Sequence, residues 1–346
     1  MQNKVTLSIV MPVFNHPEEL KTMLDSILAN IYQDWELLTV DDGSEQETLS
    51  LLEQYVQKDG RIHVIKRERL PKGAQTCRNI GLEQAEGEYI VFFDSDDFVA
   101  PHCLEQRVRE IKAHPDLDFM VFRNGIYRDN QFHIEPDRDD YGYPVWEDDI
   151  AAFCSRTLPF VVWNNIYRRE ALIRNGIRWD TNLLSLQDLD FNMQTLLCDM
   201  RYEYAPCPPD YGYRTVHMDK SISGKIHSKA HQQSHIYALN KLYSMTTERW
   251  KDRYDHNLYQ GALFMLSILT RTEYDRTVTG EISRIVKTYS RNYGRYIRIK
   301  TCLMALLSKV LPQEITRKVV LASYLRKHYG KLRRKVAKIH GLQQPS

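Results

Sequence analysis

Cysteine is scarce in this sequence of 346 residues, and its spacing does not fit the common zinc modules. None of the six cysteines forms a C-x-x-C pair, and none lies beside histidines at the spacing of zinc ligands. We therefore expect reduced, mostly buried thiols in a cytosolic protein. The six residues are Cys77, Cys103, Cys154, Cys198, Cys207 and Cys302.

Long apolar runs are also missing from the sequence. No segment approaches the roughly 18 consecutive apolar residues that a membrane-spanning helix requires. Residues 1–15 contain only a short apolar run, which Pro12 interrupts, so we predict no signal peptide. A hydrophobic content of 42% and a charged content of 27% are ordinary for a soluble globular protein. These features predict a cytoplasmic chain with one large domain or two.

Acidic residues become rare towards the C-terminus. After Glu281 the sequence has sixteen lysines and arginines but only one acidic residue, Glu314. Within this region, residues 324–341 combine aromatic and aliphatic residues with lysine and arginine at roughly helical spacing, which is typical of an interfacial helix. A basic tail can contact an anionic membrane surface or nucleic acid, or it can be an ordinary solvated face. We predict peripheral membrane contact and no nucleic-acid partner.

The first 120 residues alternate between two kinds of segment. Apolar runs of strand length alternate with segments whose apolar residues recur at helical spacing. Strands that are apolar throughout are typical of a parallel sheet covered on both faces, so we predict an α/β fold with a mainly parallel sheet. The predicted strands cover residues 7–14, 35–40, 61–66 and 88–93, and the predicted helices cover residues 18–31, 48–56 and 74–85.

The alternation of strands and helices continues beyond residue 120, and only helical segments follow from about residue 228. A further strand is predicted at residues 118–123, and a polar, irregular excursion at residues 128–149. From about residue 228 the periodic segments are helical, as at residues 234–245 and 258–270. We therefore divide the chain into residues 1–227, an α/β domain, and residues 228–346, a helical and basic C-terminal region.

Polar residues follow three of the predicted parallel strands. The first strand leads into PVFN (12–15), the second into DDGS (41–44) and the fourth into DSDD (94–97). Ligands of such sheets bind beyond the carboxyl ends of the strands. Two carboxylates about 5 Å apart repel each other by roughly 3 kcal/mol at an effective dielectric constant of about 20. Solvent could screen that repulsion, and the segment would then be only an acidic turn, whereas a bound cation would cancel it. Because DSDD follows a strand at the ligand edge with DDGS nearby, the sequence favours a bound cation.

These segments resemble a known family. SIVMPVFN, WELLTVDDGSEQET, KGAQTCRNIGLEQAEGEYIVFFDSDD, WNNIYRRE and LQDLDFNM together resemble a family 2 glycosyltransferase of the bacterial surface-polysaccharide type, over residues 6 to about 225. The resemblance implies the GT-A fold, a Rossmann-like mixed sheet flanked by helices, here with a C-terminal helical extension. It also implies a nucleotide-sugar donor, most often a uridine diphosphate sugar, and residues 1–227 as the catalytic domain.

The resemblance assigns donor-binding roles to several residues. Pro12 and Phe14 match positions that line the base pocket, although the family usually has tyrosine where Phe14 stands. Asp42 matches the residue that accepts a hydrogen bond from the uracil imide, whereas an Asx turn is the structural alternative. Arg78 matches an arginine that faces the donor, and a solvated helix charge is its alternative. Ser95 is also assigned to donor binding and lies in DSDD (94–97), which we call the donor loop.

The D-x-D motif carries the implied metal site. The resemblance places Asp96 on the metal and Asp94 near the donor ribose or in the metal's coordination sphere. Carboxylates without nearby Cys or His select a hard cation, so we expect Mn²⁺ or Mg²⁺. We expect Asp97 to hold the loop by capping the helix that starts around Pro101.

The implied catalytic base is Asp188. The family pattern is usually Glu-Asp followed by a second acid and an aromatic residue, and here Gln187 replaces the glutamate. Asp190 is the second candidate for the base, with a helix N-terminal acid as its structural alternative. Trp163 and Asn165, with Gln187, match the sugar and acceptor pocket, and core packing is an equally good interpretation of Trp163.

The loop YRTVHMDKSIS resembles one that folds over the donor. It contains Arg214, His217, Ser221 and Ser223. His217 is a candidate for diphosphate or metal contact, and a plain surface histidine is its alternative.

Taken together, these residues imply an inverting, metal-dependent hexosyl- or N-acetylhexosaminyltransferase. Its acceptor would be a growing or lipid-linked glycan such as capsule, O-antigen or lipooligosaccharide, reached at the inner face of the cell membrane. A catalytically inactive scaffold that binds a nucleotide sugar is the alternative. A sugar nucleotidyltransferase is disfavoured, because residues 12–19, PVFNHPEE, lack the glycines of a triphosphate-binding loop.

Overall fold

The chain forms two compact units, which we call the sheet unit and the helical unit. The computed structural model describes residues 5–135, 137, 139–215, 225–226, 228–271 and 273–343. The sheet unit comprises residues up to 144, 160–181 and 194–216, and the helical unit comprises 145–159, 182–193 and the C-terminal residues from 217. The two units are interleaved along the chain, and the predicted boundary between residues 227 and 228 stays a prediction.

The sheet unit contains a seven-stranded and a four-stranded sheet. The large sheet has the order β10-β6-β9-β4-β1-β2-β3. Within it β9 is antiparallel to both of its neighbours, and the other four pairings are parallel. Its strands are β1 (Leu7–Val13), β2 (Trp35–Asp41), β3 (Ile62–Lys66), β4 (Tyr89–Phe92), β6 (Phe119–Val121), β9 (Asn165–Arg168) and β10 (Tyr202–Tyr204). The small sheet contains β5 (Phe98–Val99), β7 (Asn124–Arg128), β8 (Gln131–His133) and β11 (Tyr211–Arg214).

The mainly parallel large sheet confirms the predicted α/β class. Every residue of β1, β2 and β4 is buried, as their unbroken apolar sequences predict. The helices of the sheet unit are α1 (Pro17–Leu28), α2 (Gln46–Lys58), α3 (Ala74–Gln84), α4 (Cys103–Ala113) and α6 (Arg169–Arg174). In α1 the residues at helical spacing, Leu20, Met23, Leu24 and Ile27, are the buried ones.

One sequence prediction fails within the sheet unit. Residues 128–149 are not irregular throughout, because β8 lies in this segment and pairs antiparallel with β7. The Phe132 ring packs 6.1 Å from the ring of Phe98 in the same small sheet. A strand of three residues flanked by turn formers is too short to show a period, so its sequence gives no strand signal.

The helical unit contains α5 (Asp149–Cys154), residues 187–193 of α7 (Gln187–Leu197), and six C-terminal helices. These are α8 (Lys229–Trp250), α9 (Asp255–Leu269), α10 (Arg276–Tyr289), α11 (Gly294–Leu307), α12 (Gln313–Val320) and α13 (Ala322–Gln343). The helices predicted at residues 234–245 and 258–270 are therefore confirmed. No helix among the described residues is both long and apolar enough to cross a membrane.

A buried histidine lies in the core of the helical unit. The His235 side chain is 4% exposed, and its Nδ1 has no hydrogen-bond partner among the described residues. Burial, and then the positive charge of Arg156 and the proximity of His231, lower the pKa of His235 to about 3. His235 is therefore neutral at physiological pH.

Candidate functional site

The carboxyl ends of β1, β2 and β4 lie side by side, because these strands are neighbours and parallel. Pro12 is buried in β1, and Phe14 follows it with 43% of its surface exposed. The Lys72 ammonium lies 3.6 Å from the centre of the Phe14 ring. The predicted base-pocket position thus presents an exposed aromatic face at the expected edge.

Asn15 connects the loops that follow β1 and β2. Its N–H donates to the Ser44 hydroxyl at 3.0 Å, and its Oδ1 accepts the Glu45 N–H at 2.9 Å. Asn15 and His16 both have positive φ values, 58° and 56°, in the left-handed region. Asn tolerates this region through local hydrogen bonding, so Asn15 both turns the chain and holds the DDGS loop.

The two aspartates of DDGS have different partners. Asp41 closes the Asx turn, since its carboxylate accepts the N–H groups of Gly43 and Ser44 at 3.1 and 3.0 Å. The Asp42 carboxylate instead turns towards Arg67 and accepts from its Nε, with both side chains nearly buried. The Asx-turn alternative therefore applies to Asp41 and not to Asp42.

Among the described residues, every donor to the Asp42 carboxylate binds the same oxygen. Its Oδ1 accepts from Arg67, from the Gly73 N–H at 3.1 Å and from the Cys77 thiol at 3.7 Å. Burial, and then the charge of Asp42, raise the pKa of the Cys77 thiol to about 12, so it stays protonated and can donate. Among the described residues no donor contacts Asp42 Oδ2, which leaves one carboxylate oxygen for a ligand.

Arg67 was not predicted as a site residue. It directly follows β3, and its N–H donates to the Asp41 carbonyl at 2.9 Å, so it lies at the same edge as DDGS. Its position after a parallel strand is the signal that could have identified it.

Arg78 pairs with the D-x-D motif. Its guanidinium binds the Asp94 carboxylate, and its side chain is 7% exposed while that of Asp94 is 32% exposed. The guanidinium carbon also lies 4.5 Å from the centre of the Trp179 ring. Because Arg78 is buried and paired, the solvated-charge alternative is wrong, and the structure places Arg78 beside the predicted donor loop.

Asp97 holds the donor loop in a way the sequence did not predict. It does not cap α4, which begins at Cys103 after the N-cap residue His102. Its buried carboxylate instead accepts the Tyr211 hydroxyl and the Arg214 N–H, each at 2.7 Å. The Tyr211 hydroxyl in turn accepts the Asp94 N–H at 3.1 Å. The cap prediction is wrong because the partners of the Asp97 carboxylate, Tyr211 and Arg214, belong to β11 and lie 114 and 117 residues away in the sequence.

A buried ion pair lies beneath β11. The guanidinium of Arg107 binds both carboxylate oxygens of Asp210, at 2.9 and 2.7 Å, and both side chains are fully buried. Arg107 also donates to the Trp163 carbonyl at 2.8 Å. The Trp163 ring stacks on Tyr211 with centres 4.7 Å apart. The pair and the stacked rings therefore fix Tyr211, which contacts the donor loop.

Two predicted acceptor-pocket residues are buried in the sheet unit. Trp163 is 4% exposed and packs among tyrosines, in agreement with core packing. Asn165 is fully buried in β9, and its amide donates to the Tyr167 hydroxyl at 2.6 Å. Both side chains have structural partners, and their predicted pocket roles stay predictions.

The Asp96 carboxylate is accessible but closely surrounded. Its residue is exposed to solvent, and its backbone carbonyl accepts from Arg214 Nε at 2.6 Å. Crowding by protein atoms, and then the negative charge of Asp94, raise the pKa of Asp96 to about 6. Asp96 forms no salt bridge with any described side chain. A carboxylate with these properties is stabilised by an external cation.

The residues present fit a hard cation that is shared with a ligand. Within the described parts of the chain, no three His, Cys, Asp or Glu side chains are grouped closely enough to hold a metal ion alone. Mg²⁺, however, is usually held by one or two carboxylates together with substrate phosphates and water. Asp96 and its neighbour Asp94 supply that donor set at this edge of the sheet.

Asp188 and its neighbours lie on α7, in the part that belongs to the helical unit. Asp188 is partly exposed in the first turn of the helix. Gln187 is 8% exposed, and its amide donates to the Leu183 carbonyl at 3.1 Å. Asp190 is 5% exposed and forms a 2.7 Å salt bridge with Lys241 of α8. This pairing gives Asp190 a structural role, and Asp188 stays the predicted base.

The predicted loop over the donor is described only in part. Arg214 ends β11 and contacts the donor loop through Asp96 and Asp97. His217, Ser221 and Ser223 lie outside the described residues.

Comparison with known proteins places this site in a family. The profile of glycosyl transferase family 2 matches residues 8–176, which include the ends of β1, β2 and β4. This match, over a little under half of the chain, supports a family 2 glycosyltransferase. A curated relative from Bacillus subtilis, an uncharacterized glycosyltransferase named EpsJ, is 28% identical over 54% of this chain and 55% of its own length. The match thus spans about half the length of that relative.

Solved structures share the fold of this family 2 chain. TarS 1–349 of S. aureus, crystallised with UDP-GlcNAc, superposes with a TM-score of 0.69 and 17% identity over 93% of this chain and 92% of its own. The mannosyltransferase PcManGT of Pyrobaculum calidifontis, in complex with GDP-Man and Mn²⁺, gives a TM-score of 0.51 and 16% identity over 95% of this chain and 89% of its own. The likeness to TarS, together with the mainly parallel sheet and the C-terminal helices, confirms the predicted GT-A fold.

Proposed function

We propose that this family 2 chain is an inverting glycosyltransferase that moves a sugar from a nucleotide sugar to a hydroxyl of a growing glycan. The observation that supports it best is the grouping of Asp42, the Arg78–Asp94 pair and Asp96 at the carboxyl edge of adjacent parallel strands. This edge is where open α/β sheets bind ligands. The likeness to TarS, a protein solved with UDP-GlcNAc, supports a nucleotide-sugar donor.

In the proposed donor complex, Asp42 recognises uracil. Its Oδ1 is occupied by Arg67, Gly73 and Cys77, whereas Oδ2 can accept the imide N–H of the base. The exposed ring of Phe14 offers a stacking surface, and Lys72 above it can counter the diphosphate charge. These features favour a uridine diphosphate sugar.

Asp96, with Asp94, would hold Mn²⁺ or Mg²⁺ together with the donor diphosphate. The cation would neutralise negative charge on the leaving nucleoside diphosphate. Arg78 orients the Asp94 carboxylate through their ion pair, Tyr211 and Asp97 fix the loop that carries both acids, and Ser95 lies between them.

Asp188 is the proposed general base. It takes the proton from the acceptor hydroxyl as that oxygen attacks the anomeric carbon, and the bond from this carbon to the nucleoside diphosphate breaks in the same displacement. One displacement inverts the anomeric configuration and needs no covalent intermediate. Asp190 does not compete for this role, since Lys241 binds it. Trp163, Asn165 and Gln187 are proposed to belong to the sugar and acceptor pocket.

The proposed acceptor is a surface glycan such as capsule, O-antigen or lipooligosaccharide, carried on a lipid at the inner face of the cell membrane. The enzyme would transfer a hexosyl or N-acetylhexosaminyl residue. It would contact the membrane peripherally, through its basic C-terminal region.

A screen of nucleotide sugars tests this proposal. Donor hydrolysis or transfer is measured with Mn²⁺, with Mg²⁺ and with a chelator, for the wild type and for Asp188→Asn and Asp96→Ala. We expect metal-dependent turnover that each substitution reduces at least 100-fold, in keeping with the loss of a general base or of charge stabilisation. Asp116→Asn is a matched control, because Asp116 is 66% exposed and pairs only with the surface residue Arg201 at 3.8 Å.

The same experiment distinguishes the proposed enzyme from the alternative, a catalytically inactive scaffold that binds a nucleotide sugar. Wild-type-like turnover by either variant would contradict the assigned roles. Calorimetric UDP binding by the wild type without turnover of any donor would favour the scaffold function instead.

A further inference from the structure

Eight large apolar side chains are exposed on one part of the helical unit. They lie on α11, on α12 and on the turn between them, and their exposed fractions range from 37% to 76%. We call this surface the α11–α12 face. It consists of Tyr296, Ile299, Leu303, Leu306, Val310, Leu311, Ile315 and Val319. An apolar surface of this extent is uncommon on a monomeric soluble protein and marks an interaction site.

The exposed residues of α11 form a stripe opposite its buried side. Ile297, Thr301 and Met304 are buried within the helical unit, with spacings of four and three residues. Ile299, Leu303 and Leu306 have the same spacings but start two residues later. Two residues correspond to a rotation of about 200° around a helix, so the second stripe points away from the core.

Helix α12 continues this surface. It packs against α11, and Lys300 donates to the Val320 carbonyl at 2.7 Å. Thr316 and Val320 face inward, whereas Ile315 and Val319, at the same spacing, are exposed. Ile315 and Val319 thus add two exposed apolar side chains on the helix that packs against α11.

The charge around the α11–α12 face is strongly positive. Residues 291–319 contain seven lysines and arginines and one acidic residue, Glu314. The carboxylate of Glu314 is already bound by Lys318 at 2.6 Å. Arg295 and Arg298 border a shallow groove of about 450 Å³ that also includes Ile299, Leu303 and Leu306. Apolar residues bordered by cations match the chemistry of an anionic bilayer surface.

Residues 324–341, which the sequence predicts to be an interfacial helix, lie in α13 and have a different arrangement. In α13, Tyr324 and Ile339 are 4% and 0% exposed, and Lys335 is 5% exposed. Tyr324 and Ile339 therefore contribute to the core of the helical unit, whereas Tyr329 and Leu342 are exposed. Arg326 and Lys327 are exposed on α13 but do not border a comparable apolar stripe.

We infer that the α11–α12 face is the surface with which the helical unit contacts an anionic phospholipid bilayer. The inference deepens the peripheral membrane contact proposed above. A second copy of the chain is a poorer occupant, because a two-fold interface would bring Arg295 and Arg298 of both copies together. An anionic bilayer instead attracts these cations while its interface accepts the apolar side chains.

The test is co-sedimentation of the full chain with two kinds of vesicle: phosphatidylcholine alone, and phosphatidylcholine mixed with phosphatidylglycerol. We expect binding to the anionic vesicles. Leu303→Ser with Leu306→Ser should weaken it on the order of 100-fold, because each leucine contributes apolar burial. Arg295→Gln with Arg298→Gln should weaken it roughly 25-fold, from about fivefold for each cation.

Two control variants match these changes elsewhere on the chain. Arg326→Gln with Lys327→Gln removes the same charge from α13, and Ile173→Ser removes an apolar side chain that is 45% exposed on α6. Both controls should bind vesicles nearly as the wild type does. Circular dichroism and calorimetric UDP binding should be unchanged in every variant, since none of these residues belongs to the proposed donor site.

Several results would overturn the inference. These are no binding of the wild type to anionic vesicles, full binding by the double leucine variant, or an equal loss in the α13 control. A dimer in sedimentation velocity that the leucine substitutions dissociate would assign the face to self-association instead. Vesicle binding without donor turnover would contradict the proposed activity and would leave the membrane-binding inference unaffected. Donor turnover without vesicle binding would contradict the membrane-binding inference and would leave the proposed activity unaffected.

Discussion

The substitution Asp42→Asn tests nucleotide recognition most directly. The asparagine can keep its Oδ1 on Arg67 and Gly73, where the aspartate now accepts hydrogen bonds. The oxygen proposed to face the base, Oδ2, then becomes an amide nitrogen, which donates and cannot accept. The uracil imide N–H would meet a second donor, whereas the unprotonated N3 of cytosine would find a partner.

The expected size of the effect follows from these contacts. A hydrogen bond to a charged group is worth about 1.5–3 kcal/mol, so UDP affinity should fall roughly 10- to 150-fold. CDP affinity should fall less or rise, which reverses or narrows the preference for UDP over CDP. Stability should also decrease, because Arg67 is nearly buried and loses its counter-charge.

Titration calorimetry with UDP and CDP in the presence of Mn²⁺ measures both affinities. Asp116→Asn is the control: the Asp116 side chain is 66% exposed and lies 3.8 Å from Arg201, so UDP affinity should change by less than about threefold. An equal loss of UDP and CDP affinity in Asp42→Asn would refute base recognition by Asp42, and so would an equal loss of UDP affinity in the control.

Three further predictions concern stability. Asp210→Ala should lower the free energy of unfolding by about 3–5 kcal/mol in urea denaturation, because it leaves the guanidinium of Arg107 buried and unpaired. Replacing both residues by leucine should recover most of that loss, and a single variant within about 1 kcal/mol of the wild type would contradict this account. Asp190→Asn should destabilise the protein because it removes the 2.7 Å salt bridge between Asp190 and Lys241, yet the remaining folded fraction should keep its turnover rate. A rate as low as that of the Asp188 variant would instead make Asp190 the base. For His235 the folded-state pKa, about 3, lies below the unfolded value of about 6.5, so its contribution is present above pH 6.5 and is lost as pH falls towards 3. Between pH 6.5 and 5 this histidine should account for about 2 kcal/mol of lost stability, and His235→Leu should remove that part of the pH dependence in urea titrations.

The parallel half of the fold was predictable because its signals are local. Strands such as β4 (Tyr89–Phe92) are buried on both faces and therefore have unbroken apolar sequences. The position of DDGS and DSDD at one sheet edge followed from that topology alone. Strand β8 and the antiparallel pairing of β9 did not follow, because the pairing of short strands is defined by partners distant in the sequence.

The same distinction applies within the site. The sequence indicated Asp42 and Asp96 by residue type and position, but it did not show which partners the neighbouring aspartates bind. Asp97 binds Tyr211, which lies 114 residues away, and Arg67 is recognisable as a partner of Asp42 only once β3 is placed beside β2. Side-chain pairing of this kind depends on tertiary structure, for which a single sequence contains no periodic signal.

The interleaving of the two units affects how this chain can be shortened. Residues 182–193, which include Asp188, are held by C-terminal helices, through Lys241 and through Ser234, whose hydroxyl accepts the Leu184 N–H at 2.9 Å. Gly261 lies so close to the Cys154 carbonyl that a Cβ there would come within 2.2 Å of it. Deletion of everything after residue 227 would therefore not yield a minimal enzyme. It would remove the helices that hold residues 182–193, and with them the support of the proposed catalytic base, Asp188.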